Sequence, residues 1–267
     1  MPARVARTPI RIALTFNLCG GCTRRQWMKI DGAPMQNLVL IPGLGSDFAV
    51  WDRTILKLNG EVNCLIGDTL RDDNLPAMAQ RILGSAPENF ALAGVSMGGM
   101  VALEIMRMAP KRRVTRLALV DTRARPDTLA QKVYRCCVNL LVSILDYQML
   151  SAFSVKSLVH TSATPEVRDA LVKMSVRVGA KAYIRQNRAV IAREDLRSVL
   201  RRIAVPTVVV VGAEDRMTPL ELSQEIHQLI PGSALEIIKD CGHLPPIEKP
   251  EIMANILLDL FVMRPVQ

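Results

Sequence analysis

Five consecutive residues, Gly94-Val95-Ser96-Met97-Gly98, place a serine between two glycines in the pattern G-x-S-x-G. A serine hydroxyl is a poor nucleophile until it is exposed and a base removes its proton. Glycines at the flanking positions permit a turn too tight for Cβ atoms, and such a turn pushes the hydroxyl out of the chain. The pattern alone is weak, since about one chain of this length in ten or twenty carries it by chance. Its setting strengthens it. Asn89–Val95 is an apolar run of strand type and Gly98–Ala109 has helical character, so Ser96 falls on a strand–turn–helix.

A base and an orienting acid are then required. The chain holds three histidines, and only His243 follows a strand-like run, in Cys241-Gly242-His243-Leu244. There it can accept the Ser96 proton and return it to a leaving group. His227 sits within a helical pattern and His160 before a Thr/Ser stretch, both as expected surface residues. Asp215 follows the most emphatic strand, Thr207–Val211, within Gly212-Ala213-Glu214-Asp215-Arg216. An acid past the carboxyl end of a strand lies at the ligand edge of an open sheet, where it can hold an imidazole in one tautomer. Taken alone, Asp215 reads better as a turn or helix-capping residue, since Met217-Thr218-Pro219 opens a helix. Asp121, at the end of Arg116–Val120, is the alternative acid. Pro42-Gly43-Leu44-Gly45 ends the first strand, either as an ordinary strand-ending turn or, equally, as a turn whose Leu44 N–H would form an oxyanion hole with that of Met97. The order Ser96, Asp215, His243 matches one of the known serine-triad chain orders.

The elements that must position these residues alternate. Strands are expected at Asn37–Ile41, Glu61–Ile66, Asn89–Val95, Arg116–Val120, Thr207–Val211 and Ala234–Lys239. Helices are expected at Leu75–Leu83, Gly98–Ala109, Leu220–Ile230 and Glu251–Phe261. The strands are continuous apolar runs, as a parallel sheet covered on both faces demands. The fold class is therefore α/β: a mostly parallel, doubly wound sheet of about six to eight strands with helices on both faces. Residues 123–203 contain no strong strand and read as helices Leu129–Asp146, Pro165–Val178 and Ala180–Arg193, a helical cap insertion. The expected organisation is a basic extension over 1–36, a core of 37–122 and 204–267, and a cap of 123–203.

With 267 residues, 49% of them hydrophobic, the chain can bury a full core. Its net charge of +9 is concentrated in two places: residues 1–30 carry six bases and no acid, and residues 123–202 carry fifteen bases against six acids. Aromatics are only 4% and no nucleic-acid motif is present, so base stacking is disfavoured and no nucleic-acid partner is expected. No apolar run approaches the roughly 20 residues of a spanning helix, so no membrane partner is expected either. Cys19 and Cys22 form a lone C-x-x-C without a second pair, and no residue cluster has metal-ligand spacing. Cys136 and Cys137 are expected to pack rather than react, and Met97, Met100, Met106 and Met108 to fill core gaps. Residues 1–30 have the basic character of a targeting segment but lack a cleavage site, and the expected location is cytoplasmic.

Residues 37 to 260 resemble the α/β-hydrolase fold superfamily, in particular its small serine esterases, enol-lactonases and C–C-bond hydrolases. The matching stretches are L-V-L-I-P-G-L-G-S-D (38–47), F-A-L-A-G-V-S-M-G-G-M-V-A-L-E (90–104), L-A-L-V-D-T (117–122), V-V-V-V-G-A-E-D-R-M-T-P (208–219) and C-G-H-L-P-P-I-E-K-P-E (241–251). The resemblance implies Ser96 as nucleophile, His243 as base, Asp215 as acid, Leu44 and Met97 as oxyanion donors, and Gly43, Gly45, Gly94 and Gly98 as motif glycines. It implies a serine hydrolase acting on a small-molecule ester or lactone without metal or organic cofactor. C–C-bond cleavage, acyl transfer, cofactor-free perhydrolysis or non-catalytic ligand binding are the alternatives on the same fold. The basic cap reads first as a solvated helical surface, and alternatively as a positive mouth for an anionic substrate. Two features depart from the family: Pro42 stands where His is frequent, and Gly67-Asp68-Thr69-Leu70-Arg71-Asp72-Asp73 replaces the usual glycine-rich loop after the second strand. The family's two opening strands are also faint, with Ile10–Phe16 and Trp27–Ile30 as poor candidates.

Overall fold

The computed structural model describes residues 35–263, together with the backbone of two earlier strands, β1 (Ile12–Asn17) and β2 (Thr23–Met28). β1 and β2 pair antiparallel, with Ile12 opposite Met28, as a sheet of their own. They coincide roughly with the two faint segments but do not extend the main sheet. The Cys19/Cys22 pair lies outside the described residues.

The main sheet contains β3 (Asn37–Ile41), β4 (Asn63–Ile66), β5 (Phe90–Val95), β6 (Val114–Val120), β7 (Thr207–Gly212) and β8 (Ala234–Ile238). Its order is β4-β3-β5-β6-β7-β8, and every pairing is parallel. β5 and β7 are buried along their whole length, which explains their unbroken apolar sequences. Successive side chains enter opposite layers. Val39, Ile41 and Leu92 join one core with α2 (Leu75–Ser85), α3 (Met97–Met108) and α8 (Leu220–Leu229). Leu38, Leu40, Ala91 and Ala93 join the other with α1 (Ala49–Lys57) and α10 (Pro250–Val262). The strand order reverses beside β3 and β5, so a crevice opens at their carboxyl ends, where open α/β sheets bind ligands.

Between β6 and β7 run α4 (Leu129–Ile144), α5 (Tyr147–Leu158), α6 (Pro165–Ala192) and α7 (Arg197–Leu200). The expected single helix to Asp146 ends sooner. Asp146 caps a new helix instead, its carboxylate accepting the Met149 N–H at 2.8 Å. The expected break after Val178 is present within α6, where Gly179 has φ 75°. Thr128 and Gln131 form a reciprocal capping box at the start of α4.

α4 turns polar residues inward. Arg135 and Asn139 bond Asn187 of α6, at 2.8 and 2.7 Å, while Leu129, Val133, Leu140 and Ile144 face solvent. Cys136 and Cys137, expected to pack, are therefore exposed. Beside them Asp127 is buried among Arg123, Arg135 and Arg193, at 3.2, 2.7 and 3.0 Å. Burial acts to raise its pKa, but the Arg193 hydrogen bond and the three cations outweigh burial and hold it low. Part of the basic excess is thus internal counter-charge rather than solvated surface.

Candidate active site

Ser96 follows β5 directly, with φ 57° and ψ −119°. Few L-residues adopt this conformation, and it persists because its neighbours enforce it. Ser96 N–H donates to Val120 O at 2.9 Å, and the Thr122 hydroxyl donates to Ser96 O at 2.7 Å. The glycines of the motif are a matter of space. A Cβ on Gly94 would lie 2.2 Å from Gly98 O, and one on Gly98 would lie 2.2 Å from Ile41 O. The first turn of α3 therefore rests directly on the end of β3.

His243 Nε2 is 2.8 Å from Ser96 Oγ, and His243 Nδ1 is 2.8 Å from Asp215 Oδ2. A neutral imidazole with its proton on Nδ1 donates to Asp215 and accepts from the serine hydroxyl. Asp215 also accepts from the Met217 and Thr218 N–H groups, at 2.7 and 3.1 Å, and from the Thr218 hydroxyl. Burial acts to raise its pKa. The hydrogen bond and charge of His243, with help from neighbouring donors, more than offset burial and hold the carboxyl below the usual range. Both Asp215 and His243 are buried.

The loops that bring these residues together are in direct contact. A Cβ on Gly212 would lie 1.9 Å from Gly242 O. His243 N–H donates to Leu158 O at the end of α5, at 2.8 Å. Glu248 accepts the N–H groups of His160, Gly242 and Leu244 at 2.7, 3.1 and 3.0 Å, fastening the histidine loop to the helical segment. Glu248 was not singled out from the sequence, although it is the acid of the quoted stretch C-G-H-L-P-P-I-E.

Asp121, the alternative acid, is at the end of β6 but does not face Nδ1 of His243, which Asp215 occupies. Asp121 is fully buried, has φ 42°, and accepts the Gly212 N–H on Oδ1 at 3.0 Å. Asp121, Asp215 and His243 do bring potential metal-ligating atoms within 4.8 Å of one another, as do His160, Glu214 and Asp240. In the first group, Asp215 is turned to His243 Nδ1, and His243 presents its other ring nitrogen to Ser96.

The two segments expected to supply oxyanion donors meet beside Ser96. Met97 opens α3, so its N–H has no acceptor one turn earlier. A Cβ on Gly43 would lie 3.2 Å from Ser96 Cβ, which brings the turn before Leu44 against the serine. Gly45 has φ +69°, and its N–H donates to Gln186 Oε1 at 2.8 Å. Gln186 Nε2 in turn donates to Thr69 O and Thr69 Oγ1, at 3.2 and 3.3 Å. Arg185 reaches Leu70 O at 2.7 Å. The two segments that depart from the family are thus both held by α6. The rings of Tyr147 and Tyr183 meet at 5.5 Å, tilted by 48°, beside Gly45, supplying aromatic surface above the turn.

A hydrogen-bonded Ser–His–Asp chain at the strand-order reversal of a parallel sheet defines a hydrolase architecture. The chain belongs to the α/β hydrolase fold family, whose model matches residues 62–250, and it is a hydrolase. It is 24% identical over 240 residues to a pimeloyl-acyl-carrier-protein methyl ester esterase of Vibrio parahaemolyticus, covering 84% of this chain and 92% of that protein. A thermophilic esterase from Thermogutta terrifontis superposes with a TM-score of 0.78 at 25% identity, covering 95% of this chain and 98% of that one. The enol-lactonase from Burkholderia xenovorans LB400 shares the fold, with a TM-score of 0.77 at 21% identity over 86% of this chain and 93% of that one. Among the described residues no helix is long and apolar enough to cross a membrane.

Proposed function

We propose that the protein hydrolyses a carboxylic ester, or a lactone, of a small molecule through an acyl-enzyme. The unbroken contact from Ser96 through His243 to Asp215, 2.8 Å at each step, carries the assignment. Ser96 Oγ attacks the carbonyl carbon as its proton passes to His243 Nε2. Asp215 stabilises the resulting imidazolium, and the Leu44 and Met97 N–H groups hold the oxyanion. His243 returns the proton to the leaving alcohol, and the acyl group stays on Ser96. Water, deprotonated by His243, then attacks the acyl-enzyme, and His243 returns that proton to Ser96 Oγ as the acid leaves. Residues 123–203 form the cap that lines the entrance, with Tyr147 and Tyr183 facing the acyl or alcohol part. The esterase names of the relatives support the choice of an ester.

Hydrolysis of p-nitrophenyl esters of increasing acyl length, in wild type, Ser96→Ala and His243→Ala, tests the proposal. Turnover that both substitutions abolish is expected, together with covalent labelling of Ser96 by an organophosphonate. A folded Ser96→Ala variant that retains turnover overturns the mechanism.

One observation favours a narrower substrate. Residues 123–202 carry fifteen bases against six acids, and the name of one relative contains an acyl-carrier-protein ester. An anionic ester, free or on an acidic carrier, would be steered to a positive entrance. kcat/KM for an anionic ester should then fall steeply with salt while that of a neutral ester stays flat. Equal salt dependence removes this narrower assignment.

A further inference from the structure

We propose that Asp121 stays protonated inside the folded protein and donates a hydrogen bond to the Asp215 carboxylate, as a positioning residue that fixes the acid beneath His243. This rests on the assignment of Asp215 as the orienting acid. Asp121 ends β6 and is fully buried. Its Oδ1 accepts the Gly212 N–H at 3.0 Å, whereas its Oδ2 is buried without a donor. The Asp215–His243 pair lies beside it, with ligand atoms of all three residues within 4.8 Å of one another. Two ionised carboxylates cannot bond to one another, and both would be desolvated. One proton resolves the conflict, turning the orphaned oxygen into a donor aimed at the partner carboxylate.

The surroundings say which acid keeps it. Asp215 faces His243 and has the Met217 and Thr218 N–H groups and the Thr218 hydroxyl as donors, all of which favour its charged form. Arg123 adds a cation near Asp215. Asp121 has one backbone donor, full burial, and the charges of Asp215 and, farther off, Glu248 against its own ionisation, so its pKa rises well above the ordinary value. Cys241, from the histidine loop, is a buried neutral thiol nearby. The cluster therefore holds one negative charge under His243 rather than two. Asp121 also strains its backbone at φ 42° to reach this place, joining β6 to the end of β7 through Gly212.

The test has two readouts. Infrared difference spectra of wild type against D121N at pH 7 should show the carbonyl stretch of a protonated carboxylic acid, lost in the variant. Its absence from wild type overturns the proposal, whatever the catalytic result. For ester turnover, Asn at 121 retains both an acceptor for Gly212 and a donor for Asp215. D121N is expected to keep kcat within about threefold, with the acid limb of its pH profile unmoved, because no charge has been removed. D121A should lose about 10–100-fold in kcat, the order expected when a hydrogen bond to a charged group is removed, with KM little changed. An acid limb displaced downward by one pH unit or more in D121N means that Asp121 was ionised and overturns the proposal. Turnover that survives Ser96→Ala would instead strike the serine mechanism and leave the infrared result standing.

Discussion

Gln186 Oε1 accepts the N–H of Gly45 across 141 residues of sequence, at 2.8 Å, from a fully buried position on α6. Gly45 adjoins Leu44, whose N–H is assigned to the oxyanion. The helical segment thus reaches into the core and fixes the turn that would stabilise the transition state. Pro42 stands where histidine is frequent in the family, and in this chain Gln186 holds the turn through Gly45.

Replacing Gln186 by Leu should therefore cost catalysis more than binding. The Gly45 N–H would be left buried without an acceptor, and the turn would lose its tie to Thr69. A fall in kcat of about 10–100-fold is expected, somewhat below the loss of an oxyanion donor itself, with KM changed by less than about threefold. Steady-state kinetics with circular dichroism as a folding control check this. A pure KM effect would mean that the turn does not depend on Gln186.

Asp127 answers to three arginines in a buried site. Asp127→Ala leaves those cations facing one another, and loss of one partner of a buried pair costs about 3–5 kcal/mol. Thermal or urea unfolding should show this loss, while Ser96 labelling by organophosphonate at low temperature persists. A change of under about 1 kcal/mol would place Asp127 among exposed pairs of little value.

Gly98→Ala tests the elbow. The added methyl would sit 2.2 Å from Ile41 O and 2.7 Å from Pro42 O, both backbone atoms that cannot swing aside. A destabilisation of about 3 kcal/mol or more is expected, the scale of overpacking, read as a Tm lowered by about 6–12 °C. Gly84→Ala is the control, since its Cβ meets nothing within 4 Å.

The pH dependence of stability separates the two buried acids. Asp121 has its folded pKa raised by burial and by Asp215, so the unfolded chain releases that proton first. Its contribution is intact below about pH 3.9, the unfolded value, and erodes as pH rises toward the folded one. Asp215 is lowered, so its contribution is present above the unfolded value and fades as pH falls through it. The Tm of D121N relative to wild type should therefore climb from pH 4 to pH 8. A difference independent of pH would show that Asp121 titrates normally.

The sheet, Ser96 and His243 were legible because their signals are local. A buried parallel strand is an apolar run, and an elbow is five residues long. Asp215 was legible from its place after such a run. Gln186, Glu248 and Asp127 were not, since their significance comes from partners 141, 88 and 66 residues away. α5 was hidden because Leu140, Leu141, Ile144 and Leu145 run on apolar to Asp146, whose capping bond no periodicity announces. The outward apolar face of α4 inverted the usual pattern, and the two cysteines were misplaced for that reason.

A methyl on Gly212 would lie 1.9 Å from Gly242 O, and one on Gly242 would strike the backbone of Leu158–His160, whereas Leu129, Val133, Leu140 and Ile144 of α4 face solvent. Change in the two halves of the molecule is therefore unequally permitted. Lineages that share this hydrolytic machinery can diverge along the outward face of α4, which holds none of these ties. The loops bearing Asp215 and His243 must be inherited together, nearly unaltered, or lost together.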